Sequence, residues 1–275
     1  MAGEFPFDQD EFQWRDGDRT ILFGDGVLDG APKTLAERGW DDYELLSTAR
    51  ALETAPAALA ENASKVHEVA SGPVPEISLP ILDQVESPNI VAHGGGRVID
   101  SAKAIAAVLE GRVCAIPTTL SGAPMTVIHR LPEGKQAPGL HRPPLVIADP
   151  TAMTGQPESE RRASAMNALA HGADSLYTPL ASPVSRMAAL HGAALIAGAL
   201  DTQPPDDART DLALGALLCA YSIDSALFSL HHVICQTLVR VLGTAHAETN
   251  AAILLHSLEA LRPESPPQSQ PSPPP

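Results

Sequence analysis

Three sets of chemistry-bearing residues follow one another along this 275-residue chain. The first is a glycine turn, Gly94, Gly95 and Gly96, followed by Arg97, Asp100 and Lys103. Three successive glycines let the backbone approach a bulky anion with no Cβ in the way, and a helix that follows aims its free N–H groups at a phosphate. The spacing is not G-x-G-x-x-G, and glycine also serves plain turns. Asp100 and Lys103 read equally well as solvated charges on the first turn of that helix. The second set is Pro117-Thr118-Thr119-Leu120-Ser121-Gly122, whose hydroxyls suit a phosphate, a ribose or an ordinary turn. The third is a group of histidines. Asn167 and His171 are four residues apart and share a helix face; His231 and His232 are adjacent, so at most one points in a given direction; His246 follows. Three neutral imidazoles suit a divalent transition metal, but an anionic fourth ligand would help and Asn167 cannot supply that charge. A lone histidine is more often structural than a ligand. The order of the sets points to a nucleotide cofactor facing a polar reaction site.

The elements that must position these residues follow from local pattern. Arg19 to Gly24, Tyr43 to Thr48, Asn89 to Ala92, Val113 to Pro117 and Leu145 to Ala148 are apolar or β-branched runs that read as strands. Between them lie helical stretches over Pro32 to Arg38, Ala55 to Val69 and Ser101 to Leu109. Such alternation indicates a parallel sheet covered by helices, whose ligands bind at the carboxyl ends of the strands. Beyond Asp149-Pro150 the texture becomes helical: Ser164 to Leu176, Pro183 to Leu200, Arg209 to Val241 with a break, and Ala245 to Leu261. Residues 1–18 read as a disordered acidic arm. Residues 263–275 read as a Pro-rich disordered tail that cannot bury enough apolar surface to order itself.

Composition narrows the function class. A formal charge of -15 argues against partners that need a positive surface, nucleic acid and anionic membrane alike. The N-terminus lacks a basic-then-apolar leader, and no apolar run reaches the roughly 18 residues of a membrane span. Cys114, Cys219 and Cys235 are scattered and odd in number, which predicts free thiols in a reducing cytoplasm.

Taken together, these segments resemble the iron-containing alcohol dehydrogenase superfamily, and within it the maleylacetate reductase-like branch. The resemblance runs from about Arg19 to His256. Arg19 to Gly26 is similar to the family's opening strand, Gly94 to Ala104 to its pyrophosphate loop, and Ile116 to Thr119 to its cofactor-binding loop. Asn167, His171, His232 and His246 fall at its metal-ligand positions. The double histidine and the string His246-Ala247-Glu248-Thr249 are similar to the reductase branch.

The resemblance implies an α/β N-terminal dinucleotide-binding domain over 19–152 and an all-α, dehydroquinate synthase-like catalytic domain over 153–262, truncated at the C-terminus. It implies an NADH- or NADPH-dependent oxidoreductase acting on a small molecule, an anionic oxo-acid such as maleylacetate or an aldehyde or alcohol. His171, His232 and His246 are its expected catalytic residues. Gly94, Gly95, Gly96, Arg97, Asp100, Thr118, Thr119, Ser47 and Lys135 are its expected cofactor contacts. The first acid after the strand ending at Ser47 is Glu53, which permits either cofactor with a lean to NADH. Lys135, like Arg130, reads equally well as surface charge or as a partner for a carboxylate or phosphate.

Departures from the family pattern keep other readings open. Metal-using members carry aspartate where this chain has Asn167, so iron or zinc is the less favoured cofactor. Gln236 replaces a second active-site histidine, Ala123-Pro124 a Ser-Glu pair, and Arg97 a common serine. A metal-dependent alcohol dehydrogenase and an inactive nucleotide-binding homologue are therefore the alternatives, and a homodimer is the assembly to test.

Overall fold

The computed structural model describes residues 12–202 and 208–262. Its first half is a seven-stranded sheet in the order β1-β2-β7-β6-β5-β3-β4. The strands are β1 (Phe12–Asp16), β2 (Arg19–Phe23), β3 (Glu44–Ser47), β4 (Lys65–Glu68), β5 (Asn89–Gly94), β6 (Arg112–Pro117) and β7 (Leu145–Ala148). All neighbours are parallel except β1 and β2, which form a hairpin with Asp16 opposite Arg19. Gly17 makes that tight turn at φ 60°.

Burial on both faces explains the nearly continuous apolar strands. Leu45, Val91, Cys114, Ile116 and Ile147 face one way, under Ala31 and Leu35 of α1 (Ala31–Glu37) and Leu59 of α3 (Ala57–Glu61). Leu46, Ile90, Ala92, Val113, Ala115 and Val146 face the other way. They pack under Ile81 and Leu82 of α4 (Val74–Leu82) and under Val98, Ile99, Ala102 and Ile105 of α5 (Gly96–Leu109). The short α2 (Ala49–Leu52) follows β3, capped by Thr48, whose hydroxyl accepts the Ala51 N–H.

The second half is helical: α6 (Pro150–Thr154), α7 (Glu158–Ser175), α8 (Pro183–Asp201), α9 (Arg209–Ala226), α10 (Leu230–Leu242) and α11 (His246–Ala260). Its apolar residues Met153, Ala165, Ala168, Ile196, Ala216, Leu217 and Ala220 belong to the same core cluster as Ile21, Ala92 and Val98 of the first half. The two halves therefore share one interior.

Three sequence expectations need correction. Residues 12–16 pair as an edge strand, not as part of a loose arm; residues 1–11 and the tail at 263–275 lie outside the described residues. The helix expected over Ala55 to Val69 is a short helix followed by a strand, in which His67 alone is buried. Register with β3 imposes that strand, and alanine content misled the local reading. Finally, α8 does have the length and apolarity of a membrane span, with a mean hydropathy of 1.2. Here it packs against α7 and α9.

Candidate active site

The chain runs from β3 outward to β4, then returns across the sheet to β5 and onward to β6. The sheet thus reverses direction beside β5, and a crevice opens at such a switch point outside the strand ends. A cavity of about 1010 Å³ occupies it. Its walls come from strand ends across the sheet: Thr48 and Arg50 after β3, Gly95 to Val98 after β5, Thr118 and Thr119 after β6, and Asp149 after β7. Gln156 and Glu160 close it from the helical half. The volume lies at the upper end of the usual range for small-ligand sites, as a dinucleotide requires.

The glycine turn has a steric cause visible in the structure. A methyl group on Gly94 would lie 2.6 Å from Val98 Cγ2, and one on Gly95 would lie 2.9 Å from Thr119 Cγ2. One on Gly96 would collide with Ser121 Oγ. The turn is therefore pressed against both its own helix and the threonine loop, and Thr118 N–H donates to Gly94 O at 3.0 Å. Gly95 caps α5 in an extended conformation with no side-chain cap, and the first turn carries no acid. The free N–H groups at the start of that 14-residue helix and the exposed Arg97 lie at the cavity wall, an arrangement suited to an anion.

Not every expected cofactor contact reaches this cavity. Gly95, Gly96, Arg97, Thr118 and Thr119 line it; Gly94 shapes the turn behind them. Ser47 does not line it: the side chain is fully buried and its hydroxyl donates to His93 O at 2.7 Å, because strand alternation turns it inward. Thr48 and Arg50 line it in its place. Asp100 instead pairs with Lys103 at 2.8 Å, and the buried Lys103 ammonium also donates to Ala123 O and Ile128 O. That lysine ties α5 to the loop after β6. Lys135 is exposed on that loop and is not among the lining residues.

The histidines gather next to the threonine loop. A methyl on Gly122 would lie 3.0 Å from His171 Cε1, so the loop that borders the cavity also touches the imidazole cluster. His171 stacks on His232 with ring centroids 4.8 Å apart and planes 16° apart, and Phe228 also stacks on His232, at 4.9 Å. His246, the first residue of α11, is exposed. Desolvation first and the neighbouring His232 next lower its pKa, against the carboxylates of Asp100 and Glu248. Asp100 on α5 thus brings the glycine-turn helix within electrostatic range of the helical half. His231 turns away: Nδ1 meets Ser257 Oγ at 2.8 Å and Nε2 meets Asn250 Oδ1 at 3.0 Å, which pins α10 to α11.

Asp174 is the residue that sequence reasoning missed. It is 1% exposed, and its carboxylate accepts the backbone N–H groups of Ser229, His231 and His232 together with His232 Nδ1–H at 3.0 Å. Burial pushes this carboxyl up, but the bonds from His232 and from Ser229 N–H outweigh it and hold the group below its ordinary value. With Nδ1 engaged, His232 Nε2 is buried and unpartnered, as are His171 Nδ1 and Asn167 Oδ1. His171 is held well below its usual pKa, first by burial and then by the surrounding histidines. A signal for Asp174 does exist in the sequence: Asn167, His171 and Asp174 fall at i, i+4 and i+7, one face of α7.

Asn167, His171, His232 and His246 would present a divalent metal with neutral donors alone. No group of three or more His, Cys, Asp or Glu among the described residues is placed to hold one. Imidazole lone pairs lie in the ring plane, and the nearly parallel His171 and His232 rings are stacked face to face, so their lone pairs do not meet at one ion. Asn167 adds no charge to draw them together.

Comparison with known proteins agrees with this layout. The family model for iron-containing alcohol dehydrogenase matches residues 18–150, and that for the Fe-containing alcohol dehydrogenase family, C-terminal, matches residues 162–269. The chain is 34% identical over 256 residues to maleylacetate reductase of Pseudomonas aeruginosa, covering 86% of this chain and 72% of that protein. Among solved structures it is similar to maleylacetate reductase from Agrobacterium tumefaciens, with a TM-score of 0.78 and 29% identity over 91% of this chain and 75% of that one. It is likewise similar to the reductase from Rhizobium sp. strain MTP-10005, with a TM-score of 0.77 and 30% identity over 91% and 75%.

Proposed function

We propose that this chain, which belongs to the iron-containing alcohol dehydrogenase superfamily, is an NAD(P)H-dependent reductase of a small anionic oxo-acid, with maleylacetate as the substrate and 3-oxoadipate as the product. The observation that carries this reading is the Asp174–His232 pair, which stands one loop away from a glycine-walled cleft of dinucleotide size.

A bound nicotinamide would supply a hydride to the carbon–carbon double bond conjugated to the substrate ketone. The chain's own residues bind, orient and move the proton. The N–H groups at the start of α5 and the Arg97 guanidinium hold the diphosphate, and the Thr118 and Thr119 hydroxyls hold adjacent polar groups. Asp174 keeps one proton on His232 Nδ1 and stabilises the imidazolium, so that His232 Nε2 delivers a proton or a hydrogen bond to the oxygen on which charge develops. The stacked Phe228 and His171 rings help fix the orientation of His232. His171, buried and neutral, positions; His246, exposed at the start of α11, meets the substrate from the open side.

The test is an anaerobic assay of one preparation with NADH and NADPH against maleylacetate and a panel of simple aldehydes. Consumption of reduced cofactor dependent on maleylacetate, with one equivalent of 3-oxoadipate formed and no loss on chelation, is the expected result. Turnover of aldehydes alone, abolished by chelator, would replace this reading with that of a metal-dependent alcohol dehydrogenase.

A further inference from the structure

We propose that the cleft is built for a dinucleotide that bears a 2′-phosphate, and that Arg50 is the residue that reads it. This rests on the preceding proposal that a nicotinamide dinucleotide occupies the cleft.

In a sheet of this topology the strand beside the glycine-turn strand ends at the adenosine ribose. A carboxylate there pairs with a 2′,3′-diol, and an arginine nearby accommodates a 2′-phosphate. That strand is β3, which neighbours β5. Its end carries no carboxylate. Ser47 is buried and committed to His93 O, and the Thr48 hydroxyl is committed to the Ala51 N–H. The first charged side chain after them in the cavity wall is Arg50. It is 61% exposed and paired only at the rim, with Glu160 Oε2 at 3.2 Å. Glu160 is itself 51% exposed, and ion pairs of this kind contribute little, so a phosphate displaces Glu160 at small cost. A guanidinium offers a phosphate two parallel N–H donors, a stronger arrangement than its present single contact. Ser71 also lines the cavity, while the Thr54 hydroxyl already donates to Ala51 O at 3.1 Å. Arg97 lies at the glycine turn, where it serves the diphosphate, so Arg50 is not duplicated. The lining as a whole carries Arg50 and Arg97 beside Asp29, Glu53, Asp149 and Glu160, so recognition of a phosphate at this end rests on the placement of Arg50 and not on the net charge of the cleft.

Glu53 is the competing feature. It also lines the cavity, one turn further along at the C-cap of α2, and would pair with a ribose diol. Its effect is therefore measured in the same experiment.

Binding of NADPH and NADH is measured by calorimetry on the full chain, with 2′,5′-ADP and 5′-AMP as fragments that isolate the phosphate. The unmodified protein is expected to bind NADPH and 2′,5′-ADP about 10-fold or more tightly than NADH and 5′-AMP. Arg50→Ala should weaken NADPH by about 10-fold to 100-fold and leave NADH within about 2-fold, which also shows that the variant is folded. Arg50→Lys should restore part of the loss, and Glu160→Gln should tighten NADPH. Equal or tighter NADH binding by the unmodified protein overturns the inference, as does a loss of NADH affinity on Glu53→Gln with NADPH unaffected. Failure of both dinucleotides to bind overturns it too, and in that case the proposed reductase falls with it.

Discussion

Asp174 does several jobs with one carboxylate. It caps the start of α10 by accepting three backbone N–H groups and orients the ring of His232. An asparagine in its place keeps the shape but loses the charge, and its amide can present an N–H where an acceptor is needed. Asp174→Asn should lower kcat for the proposed reduction by about 10²-fold or more and shift the limb of the pH profile that reports the histidine. Cofactor affinity, measured by calorimetry, should stay the same; an equal loss of both would show that the residue only holds the fold. Residue identities alone separated the two adjacent histidines only so far as to say that they diverge. The assignment of His231 to the α10–α11 joint and of His232 to the site depended on Asn250, Ser257 and Asp174, which arrive from distant positions in the chain.

At the scale of elements, glycines set how closely the helices of the second half approach. A methyl on Gly192 of α8 would lie 2.7 Å from Gly215 O and 2.8 Å from Cys219 Sγ, both on α9. Gly198, on the same helix, has nothing within 4 Å of the equivalent point. The two substitutions to alanine should therefore have opposite signs. Gly192→Ala forces α8 and α9 apart and should cost about 1–3 kcal/mol. Gly198→Ala meets no obstacle and should stabilise by about 0.5–1 kcal/mol through helix propensity. Denaturant midpoints of the two variants decide the matter. The long helices of the second half were legible in the sequence, with a break somewhere in Arg209 to Val241, but α6 was not read and α7 starts at Glu158, ahead of the expected Ser164. The strand β4 was not, since its Lys65-Val66-His67-Glu68 sequence buries one side chain and owes its conformation to pairing with β3. The hairpin of β1 and β2 carried an Asp16-Gly17 turn signal that was readable and was outweighed by the acidic composition around it.

For the whole molecule, the shared interior couples the site to global stability. His93 and His129 are buried, and burial lowers each to about 4, with Lys103 adding to the effect on His129. Both titrate near 6.5 in an unfolded chain, so between roughly pH 6.5 and 4 the unfolded state binds more protons than the folded one. Stability is therefore complete above the unfolded value and falls as the pH drops toward the folded one. The slope is about 1.4 kcal/mol per pH unit for each such histidine. The denaturant midpoint should be flat above about pH 7 and fall steadily from about pH 6.5 toward about pH 4. A flat profile would show that these rings are hydrated or partnered in solution.

What the amino-acid sequence determined by itself was local: the β5–α5 strand, turn and helix, the Thr118-Thr119 loop, the helical texture beyond Pro150, and therefore the expectation of an α/β half followed by a helical half. These depend on residues within a few positions of one another, where sterics and apolar period suffice. Tertiary structure alone decided that Thr48 and Arg50 line the cleft where Ser47 does not, that Asp100 serves Lys103, and that the His171 and His232 rings lie face to face with no common focus for a metal. Those outcomes turn on a few ångströms between groups separated by tens of residues, and hydrogen-bond and coordination energies change steeply over such distances.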